Sequence, residues 1–152
     1  MRRSSQAIVD RDSLDRIIHQ CKYCSLALCD GDRPYVVPVS FGYDGERVFI
    51  HSATEGRKVD LLRRNPSVTL LFTLTGELRT QGPVCSWGMA YESVVITGTA
   101  RELVQADEKQ RALDCIVAQY GDGVTTGHYA PGVLARTLVV AVEIQEIVGK
   151  RG

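Results

Sequence analysis

The sequence predicts a mainly β chain, folded as a small, closed or nearly closed antiparallel barrel with short helices. Three observations lead there. About six segments carry strand patterning, and only short helices fall between them without βαβ alternation, which disfavours a doubly wound α/β fold. In addition Gly98, inside a long strand, marks the bulge or sharp bend that barrel corners require.

Each element has its own warrant. The first helix is expected from Arg11 to Cys21, because Leu14, Ile17, Ile18 and Cys21 share one face at helical spacing and Asp10 or Asp12 can cap its start. A strand, "CSLALCD", then runs into an Asp30-Gly31 turn. The next, "PYVVPVSFGY", is apolar at nearly every position from Tyr35 to Val39, so both its faces should be covered, one by the core and one by a partner or ligand. Pro38 inside it removes a ladder donor and belongs at an edge or bulge. An Asp-Gly turn leads to a third strand, Arg47 to Ser52. The second helix occupies Glu55 to Arg64 and stops at Asn65-Pro66, since a residue before proline resists the helical region. "SVTLLFTLT" alternates at period two, with Val68, Leu70, Phe72 and Leu74 on one side. A long strand follows from Tyr91 to Leu103. Asp107 and Gln110 resemble a capping box for a helix that buries Ala112, Leu113, Ile116, Val117 and Tyr120. A Gly-rich loop leads into the last strand, Arg136 to Val148.

The totals narrow the function classes. A chain of 152 residues suggests one domain, with its core between about residues 7 and 148 and enough length to bury about two-thirds of its unfolded surface. Lys+Arg and Asp+Glu both count 18, so no global field steers the chain to nucleic acid or to an anionic membrane, and near-neutrality is compatible with an oligomer. No apolar run approaches the roughly 18 residues of a membrane span. The paired arginines at the start lack an apolar core behind them, so no secretory signal is read and a cytoplasmic location is expected. The five cysteines then read as free thiols. Cys21 and Cys24 form the only local pair, and without a second pair they read as small buried hydrophobes before they read as metal ligands or a redox couple.

The stretch "HSATEGRKVDLLRRNP" carries the chemistry. Arg57 and Lys58 fall in the first turn of the second helix, where the backbone already presents roughly half a positive charge. Ser52 and Thr54 supply hydroxyls, Gly56 admits close approach, and free N–H groups follow, which together make a phosphate site. The plainer alternative is two solvated cations offset by Glu55. No Walker or dinucleotide fingerprint is present.

The run "RPYVVPVSFGYDGERVFIHSATEGRKVDLLRRNPSV", with the later "YESVVITGTA", resembles the pyridoxamine 5′-phosphate oxidase-like, FMN-binding split-barrel superfamily, and within it the nitroimidazole-resistance (Nim-like) flavoproteins. The likeness extends from about Ala7 to Ile147, and its specific part is Arg33 to Val68. It implies a six-stranded antiparallel split β-barrel of Greek-key type, forming a homodimer with FMN across the subunit interface. By that likeness Val37, Pro38, Val39 and Ser40 line the isoalloxazine, His51 and Ser52 follow the ring edge and ribityl chain, and Arg57 and Lys58 hold the phosphate. Ser93 matches a polar position that reaches the flavin, while Trp87 and Tyr91 come from the partner subunit to cover the ring. The deazaflavin F420 and haem are the competing cofactors of the same fold.

The expected function is an FMN-dependent oxidoreductase that passes electrons from a reduced nicotinamide or similar donor to a small acceptor, a nitroaromatic among the candidates. The alternative is a flavin store or sensor without turnover. His51 is the candidate catalytic residue, as a proton donor or substrate contact beside the ring, or else a plain strand-end polar residue. Trp87 either stacks on a ligand or plugs the barrel mouth. His19 reads as a surface residue, and His128 and Tyr129 lie in a loop with no evident partner. Ser86 lacks the context of a nucleophile. The tail "EIQEIVGKRG" carries only Lys150 and Arg151, short of the basic cluster that pyridoxamine phosphate oxidation would need.

Overall fold

A computed structural model describes residues 4–152, so the paired arginines read above as lacking a secretory context lie outside the described residues. The elements run β1 (Ala7–Ile8), α1 (Arg11–Gln20), β2 (Cys24–Asp30), β3 (Arg33–Val39), β4 (Gly42–Tyr43), β5 (Arg47–Ser52), α2 (Arg57–Arg64), β6 (Ser67–Arg79), β7 (Gly88–Glu102), α3 (Ala106–Tyr120), α4 (Pro131–Arg136) and β8 (Leu138–Arg151). The strands form one antiparallel sheet in the order β3-β2-β6-β7-β8-β5-β4, with β1 added beside the end of β8.

Two expectations about the sheet change. Among the described residues it has eight strands, not six, because β1 and β4 are two residues each and too short to show a period. It is also open, with β3 at one edge and β4 at the other. Pro38 accordingly sits where a missing donor costs no ladder bond, on an edge strand. The bulge at Gly98 is present: the register of β7 on β8 shifts between Thr97 and Gly98, and a Cβ there would meet the Glu143 carbonyl oxygen at 2.3 Å.

The main core lies between the curled sheet and the inner faces of α1 and α2. Leu26, Val68, Leu70, Phe72, Val94, Ile96 and Val142 supply the sheet side, and Leu14, Ile17, Ile18 and Leu61 come from the helices. Phe72 meets Phe41 edge-on at 4.9 Å. A second cluster lies on the outer face, where Phe49, Val139 and Ala141 pack under Ala112, Leu113 and Ile116 of α3. Cys21 and Cys24 are buried in the main core, and burial pushes the Cys24 thiol up to about 12. Both act as small hydrophobes.

Several helix ends differ from the sequence reading. Asp10 caps α1, its Oδ1 accepting from the Ser13 N–H at 2.8 Å, and Cys21 is the residue after the helix. The capping box expected at Asp107 and Gln110 does not form: the helix starts one residue after Gln105, and Asp107 in its first turn pairs with Arg111 at 2.9 Å. A short helix, α4, occupies the approach to the last strand, which begins at Leu138.

Candidate functional site

The start of α2 is built almost wholly of donors. Gly56 is the N-cap, with φ 114° and ψ 166°, a conformation that L-residues rarely adopt. The space around it is open, so backbone conformation and not crowding selects glycine. The Asp60 N–H donates to the Gly56 carbonyl at 3.1 Å. That leaves the N–H groups of Arg57, Lys58 and Val59 without an intrahelical acceptor, and no side chain caps them.

The two cations differ. Lys58 is half-buried, one turn before Leu62 on the same side of the helix, and has no hydrogen-bond or ion-pair partner among the described residues. Burial pulls its pKa below the ordinary 10.5. Arg57 is more exposed and has a partner: its Nη2 donates to Asp30 Oδ2 at 2.9 Å, and the guanidinium lies 4.7 Å from the centre of the Tyr35 ring. Arg64, two turns on, donates to the other oxygen of Asp30 at 3.2 Å. The Arg57 hydrogen bond, with Arg64 behind it, holds the Asp30 carboxyl below its usual range. The residue offsetting Arg57 is therefore Asp30 across the β2–β3 turn, not Glu55.

Period-two alternation sorts the expected ring-lining residues. Val39 is buried and Val37 half-buried against the core, whereas Pro38 and Ser40 are exposed. A ligand outside the sheet can reach Val37 and Val39 only through their backbone. Val36, which the sequence reading left out, shares the outer face with Pro38 and is 57% exposed. Just beyond β3 the Phe41 N–H donates to the Tyr120 hydroxyl at 3.0 Å, so α3 fixes the chain beside Ser40.

The ladders place Ser93 on this outer face too. One row crosses the sheet as Pro38, Ser25, Leu71, Val95 and Val148; the next as Val36, Ala27, Thr69, Thr97 and Glu146; a third as Thr73, Ser93 and Lys150. Leu71 and Val148 are exposed, and among the described residues no layer covers this face as α3 does elsewhere. The Ser93 hydroxyl donates only a long bond, 3.5 Å, to the Lys150 carbonyl. The expectation that both sides of β3 are covered thus holds for one side within this chain.

His51 and Ser52 close the other end. His51 pairs with Val139 and is exposed at the rim of the face that α3 covers, while Ser52 pairs with Leu138 and points toward α2. His51 pairs near the start of β8, at Val139, and Ser93 near its end, at Lys150, so the two sit toward opposite ends of that strand. Trp87 is farther out, following the Val84–Ser86 turn beyond the β6–β7 hairpin, and its Nε1 donates to the Gly82 carbonyl at 3.2 Å. It is 51% exposed and plugs nothing among the described residues. Tyr91 lies toward the loop end of that hairpin, paired with Thr75, with the Lys150 ammonium 5.7 Å from its ring. Asp30, Tyr35 and Arg64 are the residues that sequence reasoning missed. Asp30 read only as a turn, and nothing local signals a partner 27 positions away.

Comparison with known proteins gives a consistent picture. Residues 10–151 match the family described as pyridoxamine 5′-phosphate oxidase. Among solved structures, a candidate 5-nitroimidazole antibiotic resistance protein from Bacteroides thetaiotaomicron is 32% identical, with a TM-score of 0.86 over 95% of this chain and 86% of that one. An FAD and heme binding protein from Mycobacterium smegmatis shares the fold at 23% identity, with a TM-score of 0.85 over 95% of this chain and 72% of that one. An uncharacterised protein of Rhizobium meliloti is 29% identical over 96 residues, 63% of this chain and 56% of that relative's length.

Proposed function

Because the chain belongs to the pyridoxamine 5′-phosphate oxidase family, we propose that it binds FMN with the phosphate at the start of α2 and works as a homodimeric oxidoreductase. The observation that carries this reading is the donor set: three uncapped N–H groups and a half-buried Lys58 without a carboxylate. Such a set suits an anion carrying several acceptor oxygens. The spacing also fits. Tyr35, under Arg57, is three residues from Pro38, about 10 Å along an extended strand. Tyr35 packs on the core side and Pro38 faces outward, so a ribityl chain joining the two would pass around the edge of β3.

Two copies meeting through the open sheet face would cover Val36, Leu71 and Val148 and bring Ser93, Trp87 and Tyr91 of one copy toward the β3 edge of the other. That arrangement supplies the second cover that the apolar β3 calls for. Bound there, the flavin supplies reversible two-electron chemistry between a reduced nicotinamide or similar donor and a small acceptor, a nitroaromatic among them. The chain's residues have simpler tasks. Arg57, Lys58 and the helix start hold the phosphate, Pro38 and Ser40 set the plane of the ring, and His51 stands at the rim as the candidate proton donor. Turnover separates this reading from a flavin store: the reduced protein should be reoxidised by an added nitroaromatic faster than free reduced FMN. The test of binding is titration of the purified protein with FMN. Wild type should saturate, and Arg57→Ala with Lys58→Ala should lose at least about 3 kcal/mol of affinity, the sum of two charge-assisted hydrogen bonds. Unchanged affinity in the double variant would remove the phosphate from this helix.

A further inference from the structure

Arg57 does not reach the helix start as a loose side chain. Its guanidinium is fixed on two sides, by the Asp30 carboxylate at 2.9 Å and by the Tyr35 ring at 4.7 Å, and Asp30 is itself fixed by Arg64 at 3.2 Å. One Nη atom of Arg57 is engaged by Asp30, so the rest of the five-donor fork stays available. We propose that Asp30 and Tyr35 are positioning residues for the phosphate site: they hold the Arg57 guanidinium at the edge of β3, and Arg64 holds Asp30.

The physics favours fixing this particular side chain. A free arginine samples many rotamers, and a planar fork bonds a phosphate oxygen pair only in a narrow set of orientations. Asp30 lies across the β2–β3 turn, whose register is set by Asp30 pairing with Arg33 and Cys29 with Pro34. It is therefore anchored by a ladder and not by a free loop. Two guanidiniums around one carboxylate also leave a net positive cluster, so Asp30 orients Arg57 without cancelling its charge. Lys58 needs no such support, because burial against α2's packed side already limits it.

The inference rests on the flavin reading given above, and the experiment separates the two. FMN and riboflavin, identical but for the phosphate, are titrated into wild type, Asp30→Asn, Tyr35→Leu, Arg64→Ala and Arg57→Ala by flavin fluorescence quenching, with thermal melts to confirm folding. If Asp30 and Tyr35 position Arg57, the first two variants weaken FMN roughly five- to twentyfold, Arg64→Ala weakens it by less, and riboflavin affinity stays within about twofold throughout. A merely structural role would weaken both flavins together, and that result overturns the proposal. So does Asp30→Asn binding FMN as tightly as wild type or tighter, which would make Asp30 a competitor of the phosphate. If Arg57→Ala itself leaves FMN affinity unchanged, the phosphate reading fails first.

Discussion

Lys58 and Asp30 carry opposite electrostatic signatures, and each gives a measurement. Lys58 is disfavoured as a cation by burial, with its pKa drawn below 10.5. A bound phosphate favours the charged form, so binding takes up a proton once the pH exceeds the pKa of the free protein. FMN affinity is therefore expected to fall as pH rises through that lowered pKa, measured by titration between neutral and alkaline pH, and Lys58→Arg should flatten the fall. Asp30 is the reverse case. Its folded pKa lies below 3.8 because of the Arg57 hydrogen bond first and Arg64 second. The pair's contribution to stability is complete above 3.8 and is lost as pH falls through the lowered value. In a carboxyl-detected NMR titration Arg57→Ala should bring the Asp30 pKa up toward 3.8, and an unmoved value would mean that Arg57 does not hold it.

At the level of elements, close backbone approaches decide which segments tolerate change. Gly42 of β4 lies against α3 so tightly that a Cβ would stand 2.6 Å from the Ile116 nitrogen and 2.7 Å from the Cys115 carbonyl carbon. Backbone cannot yield as a side chain can, so Gly42→Ala should cost about 2–4 kcal/mol in urea unfolding, while Gly45→Ala, where only the positive φ of 93° resists, should cost about 1 kcal/mol. The same scale explains what the sequence could reveal. β6 was legible because Val68, Leu70 and Phe72 face a core and alternate with Thr69 and Thr73, and α2 ended where Asn65-Pro66 must end it. β1, β4 and α4 were not, since two or six residues hold no measurable period. Asp107 misled because an acid in a first turn satisfies the dipole as well as a cap does, and here it pairs with Arg111. The cations of the site were legible in a local run; their anchors, Asp30 and Tyr35, were not, because strand pairing and not sequence proximity brings them there.

Over the whole molecule, the covered half of the sheet and the open half have different tasks. α3 seals Phe49, Val139 and Ala141, whereas in the rows through Leu71 and Thr69 no described residue covers Val36, Leu71 and Val148. If that open half is the homodimer face, Leu71→Arg places two like charges near the interface and should convert dimer to monomer by light scattering, with loss of retained flavin. A monodisperse dimer with full flavin in that variant would assign the face elsewhere. The phosphate position is settled by a crystal structure of the protein soaked with FMN. The phosphate is predicted to lie within hydrogen-bond distance of the Arg57, Lys58 and Val59 N–H groups and of Lys58 Nζ. A flavin bound with its phosphate anywhere else, or a helix start that remains empty at saturating FMN, would contradict it.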